Sequence, residues 1–110
     1  MPFDEQIADR IREKIYLMGI TGITEKKMFG GLSFLYFGKM SVGVVGEDLA
    51  VRVLEKKYLE WVEKPHIRPM DFTKRPMKEF IFVAPPGYAN DKQLEQLILL
   101  GIEHAESKQK

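Results

Sequence analysis

The chain has 110 residues, 45% of them hydrophobic and 30% charged, the size and mixture of one domain spanning residues 1–110 whose core needs neither metal nor disulfide. Its 17 basic and 16 acidic residues leave a formal charge of +1, so no global field holds a polyanion, and the absence of cysteine excludes disulfides, thiolate nucleophiles and cysteine-based zinc sites together. No window approaches a membrane-spanning length, and the acidic, amphipathic start MPFDEQIADRIREK is not a secretory signal, which predicts a cytoplasmic protein without a membrane partner.

Ile7, Ala8, Ile11, Ile15 and Met18 recur at spacings of three and four, predicting an amphipathic helix over residues 4–18. Asp4 is placed to accept from the free amides of its first turn, and Gly19 to take the left-handed conformation that closes its last. Residues 21–24 read as a connector. The run Leu32 to Phe37 reads as a nearly continuous apolar strand, and Phe37-Gly38-Lys39-Met40 as a tight hairpin. Met40, Val42 and Val44 then alternate with Ser41, Gly43 and Val45, the small Ser41 and Gly43 leaving room for a helix above their side. After a turn at Gly46-Glu47-Asp48, Leu49, Val51 and Val53 share one side of a third strand, and the three strands predict an antiparallel meander. Arg52 falls on the opposite side, beside Ala50 and Leu54. Structurally it is a solvated or carboxylate-paired cation; functionally it is an anion contact.

Residues 55–64 predict a short helix burying Tyr58, Leu59 and Val62, with Trp61 at its edge and Pro65 stopping it. Arg68-Pro69-Met70 then recurs as Arg75-Pro76-Met77, and each proline holds the arginine before it extended while lacking a donor of its own. Neither copy belongs inside a helix. Asp71-Phe72-Thr73 between them reads as a turn whose Phe72 anchors the connector in the core. Phe80 and Phe82 alternate with Ile81 and Val83 in a strand buried on both faces, ended by Pro85-Pro86-Gly87. The last helix starts at the cap Asn90, with Gln93 in the capping-box position, and buries Leu94, Leu97, Ile98, Ile102 and Ala105. Gly101 inside it costs roughly 1 kcal/mol relative to alanine, so it marks close packing against the sheet or another helix. Residues 106–110 are expected to fray. The predicted class is α+β: two layers, an antiparallel sheet of four to five strands packed with three helices, in the order α-β-β-β-α-β-α.

An enzyme needs a nucleophile, a base or a metal cluster, and little here supplies one. His66 follows Pro65 in a surface loop, and His104 sits on the last helix beside Glu103; neither has a metal-ligand partner at helical spacing or a triad motif around it. Gly30-Gly31 leads into a strand rather than a helix, so a turn needing positive φ explains these glycines better than a phosphate cradle. No catalytic residue, metal or cofactor is expected. Candidate contacts for a protein partner or an anionic ligand are Arg52, His66, Arg68, Lys74, Arg75 and Lys78, the last four meeting a single acid, Asp71, between residues 65 and 78. The rival reading is structural: prolines and charges beside a strand block edge pairing, and the arginines pair with Asp48, Asp71 or Glu79. Open sheet edges also predict a homodimer, and the weak basic bias ranks direct DNA binding lowest.

Met28-Phe29-Gly30-Gly31, the Gly38-Lys39-Met40 hairpin, Asp48-Leu49-Ala50-Val51-Arg52-Val53 and the two Arg-Pro-Met copies, in this order and at these separations, resemble the N-terminal domain of TfoX/Sxy proteins over nearly the whole chain. The resemblance implies a two-layer α+β domain with an antiparallel sheet. It also implies a non-enzymatic regulatory or protein-interaction role, since similar proteins include regulators of natural competence that act in transcription alongside a cyclic-AMP receptor protein. In those regulators a separate C-terminal domain follows, whereas this chain ends soon after its last helix. A small-ligand or anion-binding domain is the alternative.

Overall fold

A computed structural model describes residues 3–28, 30–69 and 79–109. Three helices, α1 (Glu5–Leu17), α2 (Glu55–Val62) and α3 (Asp91–Ser107), pack with six strands: β1 (Ile23–Met28), β2 (Gly31–Tyr36), β3 (Lys39–Val45), β4 (Asp48–Arg52), β5 (Ile67–Pro69) and β6 (Phe80–Val83). The sheet order is β1-β2-β3-β4-β6-β5, and every neighbouring pair is antiparallel. The α+β class is as expected, with six strands in place of four to five. One added strand is β1, where a connector was expected: Thr24, Glu25, Lys26 and Lys27 are all exposed, so this edge strand carries no apolar alternation. The other is β5, formed by the first Arg-Pro dipeptide. Pro69 sits on that outer strand, where its missing N–H breaks no ladder.

Local chemistry sets the ends of these elements. Asp4 accepts from the amides of Gln6 (2.9 Å) and Ile7 (3.4 Å) at the start of α1. Asn90 and Gln93 exchange bonds at 2.7 and 3.1 Å to open α3. The β2–β3 turn places Phe37 and Gly38 at φ +48 and +86, the left-handed pair that a two-residue hairpin demands. Of the two turn glycines, only Gly30 has a positive φ, at +74. Gly31 is needed for a different reason: a Cβ there would lie 2.0 Å from the Val44 carbonyl oxygen.

One face of the sheet, carrying Leu32, Phe34, Val42, Val44, Leu49, Val51, Ile81 and Val83, packs with Ala8, Ile11 and Ile15 of α1, Tyr58 of α2 and Leu94, Leu97 and Ile98 of α3. Met40, Ala50, Phe80 and Phe82 form a second cluster. The expectation that Met40 shares a side with Val42 and Val44 fails because the register slips between Phe34 and Leu35. Phe34 faces Val42 while Leu35 faces Met40, which leaves Ser41 as the extra residue of a β-bulge. Ser41 Oγ donates to the Phe34 carbonyl at 2.9 Å, and Gly101 of α3 lies against the Ser41 backbone. The room foreseen above Ser41 and Gly43 is therefore used by a helix only at Ser41. Gly43 instead lies between Ser33 and Ala50 in a cross-strand row of small residues.

Two further expectations are corrected. Leu59 is exposed rather than buried, because α2 turns only Tyr58 fully inward, with Trp61 and Val62 partly so. Residues 106–109 are also held: α3 runs to Ser107, and the Gln109 side-chain amide donates to the carbonyls of Tyr36 (3.1 Å) and Phe37 (3.5 Å). No helix among the described residues is long and apolar enough to cross a membrane.

Candidate functional site

The end of the sheet where β3 begins and β4 finishes carries a polar cluster with a cavity beside it. Lys39, Met40, Arg52, His104 and Lys108 line a depression of about 310 Å³. Pairing of Arg52 with Phe80 brings the end of β4 beside Glu79, and the Val53 amide donates to the Glu79 carbonyl at 2.9 Å. The bulge and Gly101 let α3 approach closely, and three residues later His104 points its ring at the same place. His104 Nε2 lies 2.6 Å from Glu79 Oε1 and 3.3 Å from Arg52 Nη2. Lys108 Nζ is 3.5 Å and Arg52 Nη2 3.9 Å from the same carboxylate oxygen. The Arg52 guanidinium stacks 4.3 Å over the Phe80 ring, which fixes its plane.

The carboxylate assigns the imidazole's tautomer. Glu79 accepts, so Nε2 carries the proton and cannot also accept from Arg52. His104 is 2% exposed, and its other nitrogen, Nδ1, is buried with no partner among the described residues; the same holds for Arg52 Nε. Burial pushes the His104 pKa below its usual value, with the Arg52 charge adding to the effect and the hydrogen bond to Glu79 opposing it. The hydrogen bond from His104 holds the Glu79 carboxyl below the usual range, and Lys108 and Arg52 act in the same direction. Burial lowers the Arg52 pKa from a starting value far too high for loss of its charge.

Both shifts make the fold sensitive to acid. Below the ordinary imidazole value of 6.5, the unfolded chain takes up a proton that folded His104 resists, so stability is lost as pH falls from there through the depressed value. Glu79 adds a second loss as pH falls through its own lowered pKa. Thermal unfolding midpoints should therefore drop between pH 7 and pH 5. His104→Gln, which keeps a neutral donor for Glu79, should flatten that interval; an unchanged slope in the variant would assign the effect elsewhere.

Of the residues singled out from the sequence, only Arg52 belongs to this cluster. His66 has φ +68 in an exposed turn and borders a separate depression of about 300 Å³ with Trp61, Lys64, Gly87, Gln93 and Gln96. Arg68 is 52% exposed, pairs with Asp48 at 2.6 Å and lies 4.9 Å over the Phe82 ring. The carboxylate pairing foreseen for the arginines thus holds for Arg68 with Asp48. Lys74, Arg75 and Lys78, like Phe72, its turn and the second Arg-Pro-Met, lie outside the described residues. Sequence reasoning named Glu79 only as a carboxylate for the arginines, set His104 aside, and missed Lys39 and Lys108. For His104 the signal was present: it follows Leu97 and Gly101 by seven and three residues, the spacing of α3's buried face.

Fold and cluster together define an α+β domain with helices against an open antiparallel sheet and a cationic depression at the sheet's end. The family model described as the TfoX N-terminal domain matches residues 16–105, and the chain belongs to that family. Comparison with curated proteins and with solved structures gave no match.

Proposed function

We propose that this chain is a non-enzymatic regulatory domain that works in the cytoplasm by binding a protein partner, in the transcriptional setting suggested by its resemblance to competence regulators. Membership of the TfoX N-terminal domain family supports a regulatory role. The observation that carries the non-enzymatic part is the sealed nitrogen of His104. A general base must come within hydrogen-bond reach of the proton it takes, yet Nδ1 is enclosed and Nε2 is committed to Glu79. The cluster has the parts of an acid–base pair without an accessible lone pair.

Arg68 and Arg75 are the residues to test for the partner. The exposed Arg68–Asp48 pair contributes at most about 1 kcal/mol, so charge reversal there should leave the fold intact. Affinity capture from native lysate with the wild type and with Arg68→Glu/Arg75→Glu, followed by identification of the retained proteins, should show a transcription component lost from the variant. Equal recovery from both would contradict this assignment.

A further inference from the structure

We propose that the depression at the end of the sheet binds a small phosphate-bearing ligand, held by Lys39, Arg52 and Lys108. The inference goes beyond partner binding and stands whether or not a protein partner is found. Its first ground is Arg52, which lines the depression with its guanidinium plane set by Phe80. Nε is enclosed, so the terminal nitrogens are what the side chain offers a ligand, and Nη2 faces a histidine nitrogen whose own proton goes to Glu79. A charged donor left facing another donor is costly, and an oxyanion is the kind of ligand that relieves it.

The second ground is charge. Lys39, Arg52 and Lys108 bring three positive charges to the depression, and the facing carboxylate is Glu79, with His104 neutral. A phosphomonoester, with a charge near −2 and three terminal oxygens, balances that excess where a single carboxylate leaves half of it. Glu79 holds Lys108 at 3.5 Å and Arg52 at 3.9 Å, long contacts that an incoming oxyanion can replace while the shorter bond to His104 persists. The negative end of α3 is also blunted. The Ser107 hydroxyl donates to the His104 carbonyl, and the carbonyls of Ala105 and Glu106 accept from the Lys108 backbone amide.

The test is an NMR titration of the chain at pH 7 and constant ionic strength with inorganic phosphate, glycerol 3-phosphate and acetate in parallel. Saturable shifts are expected at Arg52 and His104 with phosphate and glycerol 3-phosphate, with half-saturation at about 1 mM or below. Tighter binding of glycerol 3-phosphate would identify a phosphorylated metabolite as the ligand class, and tighter binding of inorganic phosphate would identify the free ion. The exposed pair Lys39→Gln/Lys108→Gln should weaken binding about tenfold or more with the folded spectrum retained. Linear, unsaturated shifts, acetate binding as tightly as phosphate, or unchanged half-saturation in the double variant would each overturn the proposal.

Discussion

Gly101→Ala is expected to destabilise the protein by about 2 kcal/mol, although helix propensity alone predicts a gain of roughly 1 kcal/mol from the same change. The two effects differ in sign, so the measurement separates them. A Cβ at position 101 would lie 2.3 Å from the Ser41 carbonyl oxygen and 2.6 Å from its carbonyl carbon. Both are backbone atoms, and Ser41 is held in the bulge by its hydrogen bond to Phe34. Neither side can yield by rotating a side chain, so α3 must lift from β3. His104 lies one turn further along and would move with it, loosening its contact with Glu79. Chemical denaturation of Gly101→Ala should give a lower midpoint with an unchanged slope. A midpoint above wild type would mean that α3 does not approach the sheet this closely.

Phe34→Ala is expected to cost more, about 3–5 kcal/mol, because Phe34 is a large, fully buried side chain in the centre of the helix-facing core. It sits opposite Val42, immediately before the register slip, and its carbonyl accepts from Ser41 Oγ. The cavity left by its ring would open under the helices where the bulge gives the sheet no spare side chain to refill it. Against a total stability of about 5–15 kcal/mol for a domain of ordinary size, this loss should leave a measurable unfolded population at physiological temperature. Phe34→Leu, which keeps most of the apolar volume, should cost much less. Equal losses for the two would point to something other than the cavity.

Legibility in the sequence followed the range of the interaction. The Asp4 and Asn90 caps and the tight hairpin after Phe37 are set by residues near one another in the chain and were readable; Gly101 announced close packing by its cost inside a helix, though not its distant partner Ser41. Strand β1 was not, because an edge strand exposing Thr24 to Lys27 carries the same polar signal as a loop. The bulge was hidden as well. A single extra residue at Ser41 leaves the alternating pattern intact in the sequence while reversing which face Met40 joins. Arg52 was recognised as anomalous for a strand, but its neighbours come from the pairing of β4 with β6 and from the last turn of α3, contacts that no local spacing encodes. His104 was missed for another reason: its place on the apolar register of α3 carried the signal, but a histidine was not counted with that face.

We propose that the cluster binds rather than catalyses because its histidine is neutral, tied to Glu79 through Nε2 and closed at Nδ1. Nitrogen-detected NMR of the His104 ring across pH 4 to 8 tests it most directly. A single Nε2–H tautomer at neutral pH, slow exchange of that proton with water, and a titration midpoint below 6.5 are expected. An Nδ1–H tautomer, or a midpoint at or above 6.5 with fast exchange, would contradict it.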